Sequence, residues 1–479
     1  MIGSLFQNNM KVYIKDYYMI RNSFLSLKIT KQKAEYYLII STIIFSFFYF
    51  VFRSVFFDSF IWILISPSLC IIYILLNSNR ISLAITNNLD KLIFIYFVFG
   101  TIMTMVGLII SNNINTVIEV YLHYYFPAII YFIARFYTSI NFVNITKVLK
   151  VVWYLAALLI VDIIIENYLY QNNLSTLIPW AYYELEKIKY LSIENWSNLG
   201  FDRVGSFLSS NKTAGMVLAS FFTFIFSFTL IKKYNNENYM YNRTVLTNRL
   251  FNITILLLLL YCSIGIILPN KTSLISIVIV LFVFLLIERS IKIVLVLFMV
   301  SLLAGFIFYD KVSNMIMATF FIEYSHMFNS ELFEGSTAFN YIFNFPLIIE
   351  GYKENYFWDY FFGKYLVSNM QSAYPFAFFT ELRLLSTPLY FGLFWTIIVS
   401  IIVFNILKYC LNLIKSDRNI IIRYYGLAFL GFFIIYFLDI HYPVFIRHGP
   451  FELFFIMTAT LSSCYMFKYK EVTRIMNKK

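Results

Sequence analysis

The chain has 479 residues, of which 60% are apolar and only 13% are charged, and its formal net charge is +12. A soluble globular protein carries about 25% charged residues, so this chain has too few to cover a soluble surface. The composition therefore indicates an integral membrane protein. Basic loops that face anionic lipid explain the positive charge, and no nucleic-acid partner is expected.

The first 34 residues precede the first apolar segment. Six basic residues interrupt them and no small-residue cleavage site follows, which excludes a secretory signal peptide. Bases mixed with aromatic residues are typical of an interfacial helix. We therefore predict that residues 1–34 form a cytoplasmic or interfacial segment.

Twelve apolar segments follow, and a span needs about 20 residues to cross roughly 30 Å of hydrocarbon. We predict spans at 36–52, 59–76, 92–110, 117–136, 149–170, 212–231, 250–268, 272–287, 291–309, 386–407, 420–438 and 450–467. The fold class is thus all-α, with one transmembrane domain over 35–467. It carries long loops at 171–211 and 310–385 and is followed by a basic tail at 468–479.

The basic residues predict which side each loop faces. With the N-terminus inside, 26 of the 37 Lys and Arg residues fall in cytoplasmic segments. The short loops on the other side contain only Arg53, Lys271 and Arg447. By the positive-inside rule, both termini are cytoplasmic and both long loops are extracytoplasmic.

Two outer helix starts are candidates for anion binding. The sixth span is entered through "GFDRVGSFLSSNKTAG", in which Arg203 lies ahead of Gly205 and Asn211. Free backbone N–H groups beside an arginine favour a phosphate. Lys271 in "LPNKTSLIS" repeats the arrangement at the eighth span. The alternatives are an arginine that binds lipid headgroups and a lysine that only anchors its helix.

The last outer loop concentrates acid–base groups. Asp439, His441, Arg447, His448 and Glu452 fall within "LDIHYPVFIRHGPFELF". A histidine or a desolvated carboxylate can act as a general base. The spacing does not match a metal motif such as HExxH, so no cofactor is predicted, although Mg²⁺ stays open.

Two pairs of ionisable residues near the outer ends of the fourth and fifth spans favour a different function. Glu119 with His123, and Asp162 with Glu166, are spaced i,i+4. Ionisable groups within spans are expensive and are typical of proton-coupled transporters. The sequence contains no nucleotide-binding motif, so an ATP-driven pump is not expected and an enzyme here must use an activated substrate.

The order of these features resembles the Wzy-type O-antigen and capsular polysaccharide polymerases and, more distantly, the O-antigen ligases. In that family an outer "RxG…N…A" signature enters a mid-chain span, and Arg203, Gly205, Asn211 and Ala214 match it. A later outer turn with a serine–arginine pair corresponds here to Asn270-Lys271-Thr272, which keeps the charge.

The resemblance continues in the second long loop. Gly363 in "FFGKYL" half matches a GxG-like turn, and "TELRLLSTPLYFGLFW" supplies Glu381, a leucine pair and Gly392 in a GLxG-like entry to the next span. Ligases carry a histidine just before this entry. None occurs here, which favours a polymerase over a ligase.

The resemblance implies a GT-C-like fold in the bacterial cytoplasmic (inner) membrane. It implies a glycosyltransferase that moves a growing glycan from undecaprenyl diphosphate to the next lipid-linked repeat. Arg203 would stabilise the leaving diphosphate with Lys271 and Arg447 in support, and Glu381, His441 and Asp439 are the candidate bases in that order. The remaining predicted substrate-binding residues are Gly205, Asn211, Arg383 and His448.

The expected partners are the lipid-linked oligosaccharide, membrane lipids and a chain-length regulator. A ligase, a flippase for the same lipid-linked sugars and a proton-coupled symporter remain alternatives.

Overall fold

The computed structural model describes residues 31–56, 61–77, 84–110, 114–172, 174, 177, 211–229, 249–266, 271–288, 361–363, 383–415, 420–438 and 450–476. Within those ranges every regular element is a helix, which confirms the all-α prediction for that part of the chain. The predicted span 291–309 and most of both long loops lie outside them.

The helices follow the predicted spans closely. In chain order they are α1 (31–47), α2 (Tyr49–Val55), α3 (Ile61–Leu76), α4 (Asn88–Ile110), α5 (Ile114–Val120), α6 (Ile129–Thr138) and α7 (Phe142–Gln171). The second half contains α8 (Asn211–Thr229), α9 (Arg249–Ile266), α10 (Lys271–Glu288), α11 (Arg383–Ile414), α12 (Ile420–Leu438) and α13 (Pro450–Met476). Each predicted span except 291–309 therefore coincides with helical residues.

Three helices within the described ranges are long and apolar enough to cross a membrane, namely Asn88–Ile109, Phe142–Glu166 and Phe391–Ile414. Shorter apolar helices accompany them, including Ala214–Thr229 and Ile421–Phe437. Large apolar side chains such as Tyr154 and Val161 of α7 face outward, as suits a lipid environment. The described residues are all-helical, and these apolar helices indicate a membrane protein.

Helices α8 and α12 form the centre of the bundle. Residues 214–228 of α8 and 424–433 of α12 are buried on every side, as is typical of helices that are apolar all round. They pack against each other; α8 also contacts α9 and α10, and α12 also contacts α11. The cysteines Cys70, Cys262, Cys410 and Cys464 are buried and free.

The segment predicted as one span at 117–136 is not a regular helix. After α5 the chain makes a π-helical turn, Tyr121–Tyr125, and a 3₁₀ turn, Phe126–Ala128, before α6 begins. Pro127 lies in the 3₁₀ turn; it has no backbone N–H, and its ring crowds the preceding turn of an α-helix. The proline accounts for the change of helix type at this point.

The neighbouring helix α4 accommodates this break. The Tyr96 hydroxyl donates to the Tyr124 carbonyl at 2.7 Å. The ring of Tyr125 lies directly against Gly100, where an added Cβ would come within 2.1 Å of the ring. Only glycine at position 100 allows the π-helical turn to approach α4 so closely.

Candidate functional site

Helices α8 and α10 run side by side in the same direction. The rings of Phe226 and Phe284, near their last turns, are stacked with centroids 6.3 Å apart. At 1.5 Å per residue, Asn211 and Lys271 lie about 22 Å and 20 Å back along the two helices. The first residues of α8 and α10 are therefore at one end of the bundle and at similar height.

Helices α11 and α13 begin at that end as well. Helix α12 runs opposite to α8, because Tyr425 of its first turns contacts Phe228 near the end of α8, with ring centroids 5.6 Å apart. Phe454 in the first turns of α13 contacts Phe433 in the second half of α12, at 5.6 Å. Helices α11 and α12 pack together across a short connection, so α11 also runs opposite to α12. We call the end where Asn211, Lys271, Arg383 and Pro450 begin their helices the candidate-site end.

Three predicted site residues fall within the described ranges, and each is the first residue of a helix at this end: Asn211, Lys271 and Arg383. The predicted residues Arg203, Gly205, Glu381, Asp439, His441, Arg447 and His448 lie outside the described ranges. The helices nearest to them in the chain are α8, α11, α12 and α13, and the adjacent ends of all four lie at the candidate-site end.

A buried carboxylate also lies at this end. Glu452, in the first turn of α13, is only 6% exposed and accepts a 2.6 Å hydrogen bond from the Ser46 hydroxyl of α1. A carboxylate is favoured in the first turn of a helix by the helix dipole. The sequence places Glu452 among the acid–base groups of the last outer loop but gives no sign that it joins α1 to α13.

The two glycines of the long-loop resemblance meet in space. A Cβ added at Gly392 would lie 2.4 Å from the Phe361 carbonyl oxygen and 2.6 Å from the Gly363 nitrogen. Both glycines have positive φ, 83° at Gly392 and 89° at Gly363. Residues 361–363 of the long loop thus contact a kink inside α11 through their backbone.

The two ionisable pairs of the transporter alternative differ in their surroundings. Glu166 is fully buried and Asp162 is half-buried, both on α7. Glu119 belongs to α5 whereas His123 belongs to the π-helical turn, so the regular α-helical spacing between them is interrupted.

The sequence does not predict a polar network that lies away from the candidate-site end. Asp90 in the first turn of α4 is fully buried. One of its oxygens accepts from the backbone N–H of Asn87 at 3.0 Å, and the Asn87 side chain accepts from the Asp90 N–H at 3.0 Å. This reciprocal pair is a capping box that satisfies N–H groups at the start of α4. The other carboxylate oxygen accepts from the Tyr131 hydroxyl and, at 2.6 Å, from the Ser462 hydroxyl.

Arg135 of α6 completes this network. Its side chain is fully buried and forms a 3.0 Å ion pair with Asp90. A second nitrogen donates to the Ser463 hydroxyl at 2.8 Å and a third to the Thr86 hydroxyl at 2.9 Å. Arg135 is one of the 26 basic residues assigned to cytoplasmic segments, and the structure shows that it is buried within the bundle and not exposed in a loop. Its position within the apolar run "YFIARFYT" is the available signal.

Within the described ranges, no three His, Cys, Asp or Glu side chains lie together as a metal site requires. No family model matches the chain, and neither a curated protein nor a solved structure is similar to it.

Proposed function

We propose that the chain is a polysaccharide polymerase of the bacterial cytoplasmic membrane. It transfers a growing O-antigen or capsular glycan from undecaprenyl diphosphate to the next lipid-linked repeat at the outer leaflet. In this proposal the chain has twelve spans in a GT-C-like arrangement, both termini are cytoplasmic, and the candidate-site end faces outward. A chain-length regulator is a candidate partner.

One observation carries the proposal: α8 and α10 are parallel and begin at one end of the bundle at similar height, at Asn211 and Lys271. The N-terminus of a helix carries partial positive charge and unpaired N–H groups, which favour a phosphate. Two such starts at similar height suit the two phosphates of a diphosphate better than one. Arg203, close to Asn211 in the chain, adds a cation that can bind phosphate with two parallel hydrogen bonds.

In this proposal the reaction is a glycosyl transfer. The acceptor hydroxyl oxygen forms a bond to the anomeric carbon of the growing glycan as the bond from that carbon to the diphosphate oxygen breaks. The hydroxyl proton passes to a base, for which Glu381 is the first candidate and His441 and Asp439 the next. Negative charge grows on the departing diphosphate, so Arg203, Lys271 and Arg447 stabilise the transition state more than the ground state.

A second candidate is a transporter of the same lipid-linked oligosaccharides. The fully buried Glu166 and the break at Tyr121–Tyr125 favour it, because transporters carry ionisable groups and discontinuous helices within their spans. A ligase would share the candidate-site end and differ in its acceptor.

The deciding experiment is a surface-glycan gel from a strain that lacks the gene, with and without the intact gene restored. A polymerase leaves glycan of a single repeat, and the restored gene returns the ladder. Polymer that accumulates on its lipid carrier indicates a ligase. Loss of even the single repeat indicates a flippase, and an unchanged ladder overturns all three.

The role of Arg203 is tested separately. We expect Arg203→Ala to abolish the ladder and Arg203→Lys to lose most of it, because an ammonium group cannot replace the bidentate guanidinium. Lys189→Ala, in the same predicted loop, is the matched control and should keep the ladder. A normal ladder from Arg203→Ala at normal protein level contradicts the assignment.

A further inference from the structure

We propose that residues 361–363 fix the long outer loop to the kink of α11, and that this contact positions the Arg383 end of α11 for glycan transfer. The existence of the contact is independent of the proposed function. Its positioning role rests on that function.

The contact is made by backbone and admits no side chain at position 392. Gly392 has φ 83° and ψ 170°, which interrupts the helical conformation inside α11. The Phe361 carbonyl and the Gly363 N–H face this point, at 2.4 Å and 2.6 Å from where a Cβ would be. Positive φ is strained for any residue with a Cβ, so both the kink and the contact require glycine.

Aromatic rings brace the kink on two sides. Phe394, just past the kink, contacts Phe361 and Phe362 of the long loop, with ring centroids 5.4 Å and 5.5 Å away. Phe391, just before it, contacts Tyr124 of the π-helical turn at 4.8 Å. The kink therefore lies between the long loop, which contacts α11 at and after Gly392, and the π-helical turn, which contacts it just before.

The segment before the kink carries Arg383. Residues Arg383–Phe391 form about 13 Å of helix before the kink. A small rotation about Gly392 therefore moves Arg383 several times further than it moves the residues next to the kink. A misplacement of about 1 Å at reacting groups lowers rates by as much as roughly 100-fold. Loss of the ring contacts should therefore lower turnover.

The first test measures the contact in purified protein by cysteine cross-linking. Phe361→Cys with Phe394→Cys is treated with a short hydrophilic thiol cross-linker, and a protease site inserted between the two positions reports the cross-link on a gel. The control pair is Phe361→Cys with Phe404→Cys, since Phe404 is 66% exposed on the same helix and about 15 Å further along it.

We expect the first pair to cross-link and the control pair not to. The native cysteines are buried, so wild-type protein gives the background. Equal cross-linking of both pairs overturns the contact, whether or not the protein polymerises glycan.

The second test measures turnover with purified protein and lipid-linked repeats. Phe394→Ala is compared with Leu393→Ala, since the two side chains are adjacent and similarly exposed, at 42% and 44%. We expect kcat to fall about 10- to 100-fold for Phe394→Ala with little change in KM. Leu393→Ala should stay within about 2-fold of wild type, and Phe394→Tyr, which keeps the ring, should restore kcat.

Equal kcat values for Phe394→Ala and Leu393→Ala overturn the positioning role. A Phe394→Tyr protein whose kcat is as low as that of Phe394→Ala overturns it as well. An intact cross-link in a protein whose deletion leaves the glycan ladder unchanged overturns the proposed function and leaves the contact standing.

Discussion

At the scale of single residues, the Asp90 carboxylate joins three helices. It caps α4, forms an ion pair with Arg135 of α6 and accepts from Ser462 of α13. Removing an ion pair from water costs several kcal/mol per ion, which is offset only when hydrogen bonds fill the remaining positions. Here hydrogen bonds fill the remaining positions on both Asp90 and Arg135. The loss of either residue would leave the other as a buried charge without its counter-ion.

We therefore expect Asp90→Ala to lower the free energy of unfolding by about 3–5 kcal/mol. Unfolding in mixed micelles with increasing SDS measures this value. Lys91→Ala, at the adjacent exposed position, should change it by less than about 0.5 kcal/mol. The double variant Asp90→Leu with Arg135→Met should cost less than Asp90→Ala alone. Equal stability of Asp90→Ala and Lys91→Ala would show that the network does not stabilise the fold.

Sequence reasoning finds residues whose signal is local and misses this network. Asn211 and Lys271 are predictable within one residue as helix starts because each marks a change from polar to apolar chain, whereas Arg383 falls in the predicted long loop and begins its helix three residues before the predicted span. The partners Asp90 and Arg135 are 45 positions apart, and Ser463 is a further 328 positions from Arg135. Only folding brings these residues together, so nothing in the sequence distinguishes them from other polar residues near the ends of spans.

At the scale of elements, apolar length predicts where helices lie but not whether they are regular. Outside 291–309, the predicted spans coincide with helical residues, because a long apolar segment in a membrane must satisfy its backbone hydrogen bonds within a helix. A hydropathy window, however, measures only composition. The same window cannot detect the π-helical turn at Tyr121–Tyr125 or the kink at Gly392. Pro127 is a local signal for the first of these, whereas the kink depends on residues 361–363 of the long loop.

The contact between the π-helical turn and α4 gives a test at this scale. Gly100→Ala would place a methyl group 2.1 Å from the Tyr125 ring, and overpacking of this kind costs about 1–3 kcal/mol. We expect a corresponding drop in thermal stability in detergent. Tyr125→Leu in the Gly100→Ala background should recover part of it.

The exposed neighbour Ile102 provides the control, because Ile102→Ala removes a side chain that faces outward on the same helix. A Gly100→Ala protein as stable as the Ile102→Ala protein would contradict the close packing of the turn against α4.

At the scale of the whole molecule, the two ends of the bundle differ in chemistry. Helices α8, α10, α11 and α13 begin at the candidate-site end, and the N–H groups of helix starts favour anions. The Asp90–Arg135 pair lies towards the opposite end, and its two charges neutralise each other inside the protein. We propose that the helix starts at the candidate-site end are the ones that meet the phosphate-bearing lipid.

Thiol labelling tests whether these ends face opposite sides of the membrane. Leu177 lies beyond the end of α7 and Lys415 beyond the end of α11, and both are exposed. Helix α7 starts beside the first turns of α12, where the Phe142 and Tyr425 ring centroids are 5.3 Å apart, so α7 and α11 end towards opposite ends of the bundle. We expect a membrane-impermeant maleimide to label Leu177→Cys in spheroplasts and to label Lys415→Cys only after permeabilisation. Labelling of both without permeabilisation would contradict the proposed orientation.

The buried ion pair also has a consequence for the order in which the chain assembles. An ionised side chain buried within a membrane domain is costly unless it is paired, so Arg135 benefits from meeting Asp90 before it is left among lipids. Both residues emerge early in synthesis, whereas the hydroxyls of Ser462 and Ser463 emerge more than 300 residues later. We expect α4 and α6 to insert as a neutral pair and α13 to join them last, so that a nascent chain halted before Pro450 already holds its two charges together while its final helix is still missing.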